Sequence, residues 1–272
     1  MTTDFAARFL AFDTSTDQMS IALTDGVRVW QHTGAGGAHS SVTLIPAILR
    51  LLAESGLQLG DLRAVVFGRG PGSFTGLRTA CAVAQGLAFG AGHGAGIDVL
   101  PVDTLLAVAE EARFQHQGAT LKPLRITALL DARMDEMYVQ SYEFNSAEGL
   151  SNGRCKLIRP ENLVIEENCD LLAGNVFAAY AARLPAGLSR FAQLEALPTA
   201  TALLRLAPQL AAAGHCVDAS LALPLYVRDK VAFTTDERAL AKAQKEQNEQ
   251  AERDFQPPRL QPASASAAQI AD

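Results

Sequence analysis

The stretch that most limits what this chain can become runs from Val65 to Gly90, VVFGRGPGSFTGLRTACAVAQGLAFG. An apolar strand, Ala64 to Phe67, turns through Gly68, Gly70, Pro71 and Gly72. Ser73 stands where a helix N-cap belongs, because its hydroxyl can accept from a backbone N–H two or three residues on. A helix from about Phe74 to Phe89 follows, with Gly90 as its stop. Arg78 is its only charge, and Gly76, Ala80, Val83 and Gly86 carry small or slim side chains at helical spacing. Glycine inside a helix costs about 1 kcal/mol relative to alanine. Two of them predict that another backbone comes very close.

With 272 residues the chain has room for one large or two moderate domains. Its 49% hydrophobic and 19% charged residues are those of a soluble globular protein. A net charge of −6 argues against tight unaided binding to nucleic acid, whose affinity comes mostly from cations on phosphate. Cys81, Cys155, Cys169 and Cys216 form no CxxC pair, so neither a zinc site nor a disulfide framework is indicated. The first residues place Asp4 and Asp13 around a short apolar run, which is not a secretory signal. The longest apolar stretch is broken by Gln85 and by glycines and is too short to span a bilayer. A cytoplasmic protein without membrane contact is expected.

Arg8 to Phe12 reads as a buried strand, Asp13 to Asp17 as a turn, Gln18 to Leu23 as the return strand and Val27 to His32 as a third. Gly34 to Gly37 reads as a loop. Ser40 is expected to cap a helix that ends at Ser55 with Gly56 as its stop. That helix is apolar on more than one face, through Leu44, Ile48 and their neighbours, and Pro46 should kink it or mark a late start. Ile97 to Val102 is a strand, and Asp103 to His116 a helix. The second half opens alike, with strands Leu124–Leu130 and Glu136–Phe144 around a turn at Asp131–Asp135. Asp13, Asp17, Met19 and Ile21 recur as Asp131, Asp135, Met137 and Val139 at one constant offset, which predicts an internal duplication. Further on, Lys156–Ile158 and Asp170–Ala173 read as strands, and Pro160–Val164 as a short helix. Val176–Leu184 and Thr199–Ala213 read as helices, and Leu223–Arg228 as extended. Asp236 to Asp272 has almost no apolar face, then prolines and an Ala/Ser-rich end, so it is expected to be a solvated tail whose removal leaves the fold intact.

Two three-stranded meanders, each followed by helices, are the logic of the actin-like, sugar-kinase and Hsp70 ATPase superfamily. Its members wrap nucleotide phosphates with the turn after the first strand of each half. Asp13, Thr14 and Ser15 could do so, and Gly70 and Gly72 lead into a helix N-terminus as anion loops do. The plainer reading of either turn is a structural one. The second hairpin, Ala132-Arg133-Met134, lacks the glycine that allows close approach to a phosphate. No nucleophile elbow stands in the chain, and His32, His39, His93, His116 and His215 show no HxxxH or HExxH spacing.

FDTSTDQMSIAL, GRGPGSFTGLRTACAVAQGLAFG, LLDARMDEMYV and PLYVRDKVA closely resemble the TsaB family. Its members are the dimerisation subunits of the bacterial machinery that makes N6-threonylcarbamoyladenosine at position 37 of tRNAs reading ANN codons. The resemblance covers roughly residues 8 to 233. It implies an α/β, duplicated βββαβα fold of two actin-like (ribonuclease H-like) lobes. Those lobes are expected at 1–103 plus about 200–233, and at 104–199, with 234–272 as the tail. It also implies a non-catalytic scaffold that uses no cofactor, pairs with the catalytic paralogue TsaD and the small ATPase TsaE, forms a possible homodimer, and meets tRNA only through the complex. TsaD holds a metal through HxxxH, where this chain aligns Thr104 and Val108. A free-standing actin-like ATPase or small-molecule kinase is the alternative, and a metallopeptidase is a third reading that the missing ligands oppose. Gly76, Thr79, Val83, Gly86 and Gly90 recur at spacings of 3, 4, 3 and 4, the repeat of a packed helix seam. With Ala80, and with Leu44 and Ile48 of the preceding helix, they form the expected partner interface, the alternative being that a core helix of the same lobe fills the seam.

Overall fold

The computed structural model describes residues 8–94, 96–117, 122–145 and 149–228. The tail expected over 234–272 lies outside them. Two five-stranded mixed sheets carry the chain. In the first, Phe9–Asp13 (β1) is central, and its alternate residues point to opposite faces. Leu10 and Phe12 enter one core with Val65 and Phe67, while Phe9 and Ala11 enter another with Ala64 and Val66. Gln18–Thr24 (β2) pairs antiparallel with β1, and Val29–Ala35 (β3) antiparallel with β2. Ala64–Gly70 (β4) lies parallel to β1, and Asp98–Asp103 (β5) parallel to β4. The strand order is β3-β2-β1-β4-β5.

The second sheet comprises Leu124–Asp131 (β6), Met137–Phe144 (β7), Gly149–Ile158 (β8), Leu171–Gly174 (β9) and Ala192–Glu195 (β10). Its order is β10-β9-β6-β7-β8, with β6, β7 and β8 antiparallel and β6, β9 and β10 parallel. Read from β8, it repeats the first sheet strand for strand and direction for direction.

Ser40–Ser55 (α1) and Phe74–Gly90 (α2) cover the Leu10/Phe12 face of the first sheet. Thr104–Gln117 (α3) follows β5 yet packs Leu105, Val108 and Ala112 against Ile126 and Tyr142 of the second sheet. Ala200–Ala212 (α4) follows β10 yet packs Ala200, Leu203 and Ala207 against the first. Each sheet thus lends a helix to the other, and the two helices are tied by charge. Arg205 donates from Nε to Glu110 and from Nη2 to Glu111, both at 2.7 Å, and Arg113 donates to Glu110 at 2.6 Å. Two mixed α/β lobes in this order form the actin-like, ribonuclease H-like fold.

Several local expectations need correcting. Ser40 does not cap α1. It is the first helical residue after a 3-10 turn, and its hydroxyl donates to Gly37 O at 2.6 Å. The helix starts six residues before Pro46, so that proline does not delay it. β3 runs on to Ala35 because Gly34 pairs opposite Met19, taking in residues read as loop. β8 begins at Gly149 rather than Lys156. Val176–Leu184 forms turns, with isolated helical bonds from Tyr180 N to Val176 O at 2.9 Å and from Leu184 N to Tyr180 O at 2.9 Å. Nine residues are short for a helix, and Pro185 pushes Leu184 out of the helical region. The second lobe therefore covers one face of its sheet with turns carrying Leu163, Val176, Tyr180 and Leu188, where the first lobe uses two helices.

Candidate functional site

The Asp13–Ser15 turn ends β1 at the head of the first sheet, and all three side chains are buried. Asp13 Oδ1 accepts from Ser15 N at 2.8 Å and from Ser15 Oγ at 2.6 Å. Its Oδ2 is buried without a hydrogen-bond partner of good geometry. Burial lifts the carboxyl to about 6, against weaker lowering by Ser15 and then the Thr104 hydroxyl. Thr14 Oγ1 donates to Gly76 O at 2.7 Å, and Ser73 N donates to Ser15 O at 2.7 Å. A methyl group on Gly76 would strike the Thr14 carbonyl, and one on Gly72 would strike Ser15. Gly70, at φ +118°, is covered by the Leu225 carbonyl. The five phosphate candidates Asp13, Thr14, Ser15, Gly70 and Gly72 are thus brought together, and the start of α2 fills the space against the turn. Ser73 caps α2 as expected, accepting from Gly76 N.

The second hairpin turn does without glycine in an unexpected way. Arg133, Met134 and Asp135 all adopt left-handed backbone, at φ 60°, 55° and 60°. Such residues persist only where surrounding contacts over-determine them. Here Asp131 Oδ1 accepts from Arg133 N at 2.8 Å and from Tyr180 OH at 2.7 Å. Arg183 donates to Asp135 at 2.7 Å and to Glu161 at 3.0 Å. From this turn the Arg133 guanidinium reaches across to Asp17 in the first lobe's turn. The tips of both hairpins therefore meet in an ion pair.

The outer side of α1 and α2 carries the other candidate site. Gly76 and Ala80 are buried, Thr79 and Val83 half-buried, and Gly86 and Gly90 exposed with open space where a methyl would go. Leu44 and Ile48, expected at the partner interface, are fully buried in the first lobe's core instead. Their place on the outside is taken by Val42, Ile45 and Leu49, the last 53% exposed. These three count in the sequence among the apolar residues of the helix but not in the expected interface, although they recur at spacings of 3 and 4 as a stripe separate from Leu44, Ile48 and Leu52. Phe89 extends the apolar surface on α2 and is also 53% exposed.

Residues 32–254 match the model of the family described as TsaD: tRNA N6-adenosine threonylcarbamoyltransferase. The tRNA threonylcarbamoyladenosine biosynthesis protein TsaB of Escherichia coli is 33% identical over 235 residues, which span 83% of this chain and 96% of that protein. The chain belongs to the TsaB family. The Haemophilus influenzae protein of the same name is 34% identical over 82% of this chain and 94% of its own. The structure of YeaZ from Pseudomonas aeruginosa, 36% identical, superposes on 81% of this chain and all of its own with a TM-score of 0.71.

Thr104 and Val108, set against an HxxxH pair in the sequence analysis, both lie inside the fold. Thr104 is buried, and its Oγ1 accepts from Gly70 N at 3.2 Å. Val108 is buried among Leu105, Ala112 and Ile126. Neither offers an imidazole, and among the described residues no three His, Cys, Asp or Glu side chains gather as metal ligands. No helix of the described residues is long and apolar enough to cross a membrane.

Proposed function

We propose that this chain serves threonylcarbamoyladenosine biosynthesis as a non-catalytic scaffold that docks the catalytic paralogue TsaD through the outer face of α1 and α2. The observation that carries this reading is one helical face left apolar and open on a chain whose Asp13–Ser15 turn is packed by the start of α2. The docking set is Val42, Ile45 and Leu49 on α1 with Thr79, Val83, Gly86, Phe89 and Gly90 on α2. Exposed glycines at Gly86 and Gly90 let a partner backbone approach closely, as a helix–helix contact requires. The same face serves a homodimer, and TsaE and tRNA join only the assembled complex, in the cytoplasm. We infer too that the lobes divide as 1–103 with about 200–233 and as 104–199, a division the packing of α3 and α4 supports.

The test is co-elution of this chain with TsaD from the same cell on a sizing column. Wild type should elute as a complex. Leu49→Glu should stay folded by circular dichroism, since Leu49 faces outward, and should lose the complex, because an interfacial charge would be desolvated without a mate. A folded Leu49→Glu that still binds TsaD rejects the face.

A further inference from the structure

The one cation on α2, Arg78, is exposed and held from two sides. The Arg78 guanidinium lies over the Phe74 ring, 3.7 Å from its centroid, and its Nε donates to Tyr226 OH at 3.1 Å. The Phe74 and Tyr226 rings in turn meet at 5.4 Å, tilted by 34°. Tyr226 is not on a loose end. Leu225 N donates to Arg69 O at 2.7 Å, and Cys81 and Gln85 both donate to Ala222 O. The 222–226 strap is therefore fixed along the flank of α2, and it fixes the phenol that holds Arg78. Stacking and the Nε bond orient the guanidinium. Among the described residues no carboxylate pairs with it. An arginine held this way has lost part of its side-chain freedom in advance, and its fork matches a carboxylate.

We propose that Arg78 is the carboxylate anchor of the docking face, receiving an Asp or Glu from the helix that TsaD lays along α2. The inference rests on the docking reading above. The surroundings favour a protein acid over a tRNA phosphate. Leu221 just before the strap and Leu223 within it are exposed, at 60% and 66%, and Arg78 is the sole charge on α2. A phosphate-binding surface needs several cations, and this chain has a net charge of −6. Arginine beside exposed aromatic rings is the make-up of a binding hot spot.

The test is calorimetric titration of the full chain with TsaD, comparing wild type, Arg78→Gln, Arg78→Lys and Leu49→Glu, with melting temperatures of each. Arg78→Gln should bind at least about tenfold more weakly, with unchanged melting and a shallower salt dependence. Arg78→Lys keeps the stem on Phe74 but not the fork, and should recover only part of the loss. Should the glutamine variant melt early, the lysine variant decides: wild-type affinity there overturns the anchor. Leu49→Glu weakening the complex while Arg78→Gln stays within about twofold of wild type also overturns the anchor and leaves the face standing. If neither change matters, the docking reading falls and the anchor with it. Loss of tRNA binding by the assembled complex at unchanged subunit affinity makes Arg78 a phosphate contact, and loss of self-association alone makes it a homodimer contact. Either result rejects the proposal.

Discussion

Burial at the end of β1 lifts the Asp13 carboxyl from about 3.8 in a free chain to about 6, and hydrogen bonds from Ser15, with the nearby Thr104 hydroxyl, offset only part of that rise. Folding therefore takes up a proton between those values. The contribution of Asp13 to stability is full below about pH 4 and is lost as pH rises through about 6. Asp13→Asn keeps an acceptor for Ser15 and removes the buried charge. It should melt higher than wild type at pH 8, by roughly 2–3 kcal/mol at most, and the gap should close at pH 4. A variant less stable than wild type at pH 8 would count against this account. Two glycines of α2 make the second test at this scale. Gly76→Ala would drive a methyl into the Thr14 carbonyl and should cost several kcal/mol in urea denaturation. Gly86→Ala meets open space and should gain about 1 kcal/mol. Equal effects at the two sites would contradict the assigned packing. The sequence marked both glycines as places of close approach, since both interrupt a helix. It could not say that Gly76 meets the chain's own β1 turn while Gly86 faces outward, because that depends on which strand the helix lands on.

Among the elements, α1 shows how two apolar faces are to be read. One stripe, Leu44, Ile48 and Leu52, belongs to the first core, and the other, Val42, Ile45 and Leu49, stands outside. Apolar excess on the helix was legible in the sequence. Assigning each stripe required the sheet beneath, and the expected interface members Leu44 and Ile48 proved to be the inner ones. The glycine-rich strand–turn–helix was legible throughout, from β4 to the Ser73 cap, because glycine, serine and an apolar run each have a narrow range of local uses. The segment at 176–184 was not, because its apolar residues recur as a helix's would while Pro185 and its shortness keep it in turns. Nor was the left-handed run at Arg133, Met134 and Asp135. Asp131 bonds the turn locally through Arg133 N, but Tyr180 and Arg183, which hold Asp131 and Asp135 in place, come from 49 and 48 residues further along the chain.

On the scale of the whole molecule, the duplication announced by Asp13 and Asp131 extends to strand order and direction in both sheets. The copies have diverged in the cover of one face, α1 and α2 on the first sheet and turns on the second, so the outer apolar helix face proposed for docking belongs to the first lobe. Between them the hairpin tips of both halves meet through Arg133 and Asp17, and the first turn is packed by α2. A nucleotide-handling fold has here the makings of a scaffold, and that is the claim most in need of testing. The direct measurement is threonylcarbamoylation of tRNA in a reconstituted system with TsaD, TsaE and activated threonylcarbamoyl donor, with and without this chain. The account predicts no product from this chain alone, full product only when it is added to TsaD, and little product when Leu49→Glu replaces it. Modification of tRNA by this chain without TsaD, or full activity with folded Leu49→Glu, would contradict it.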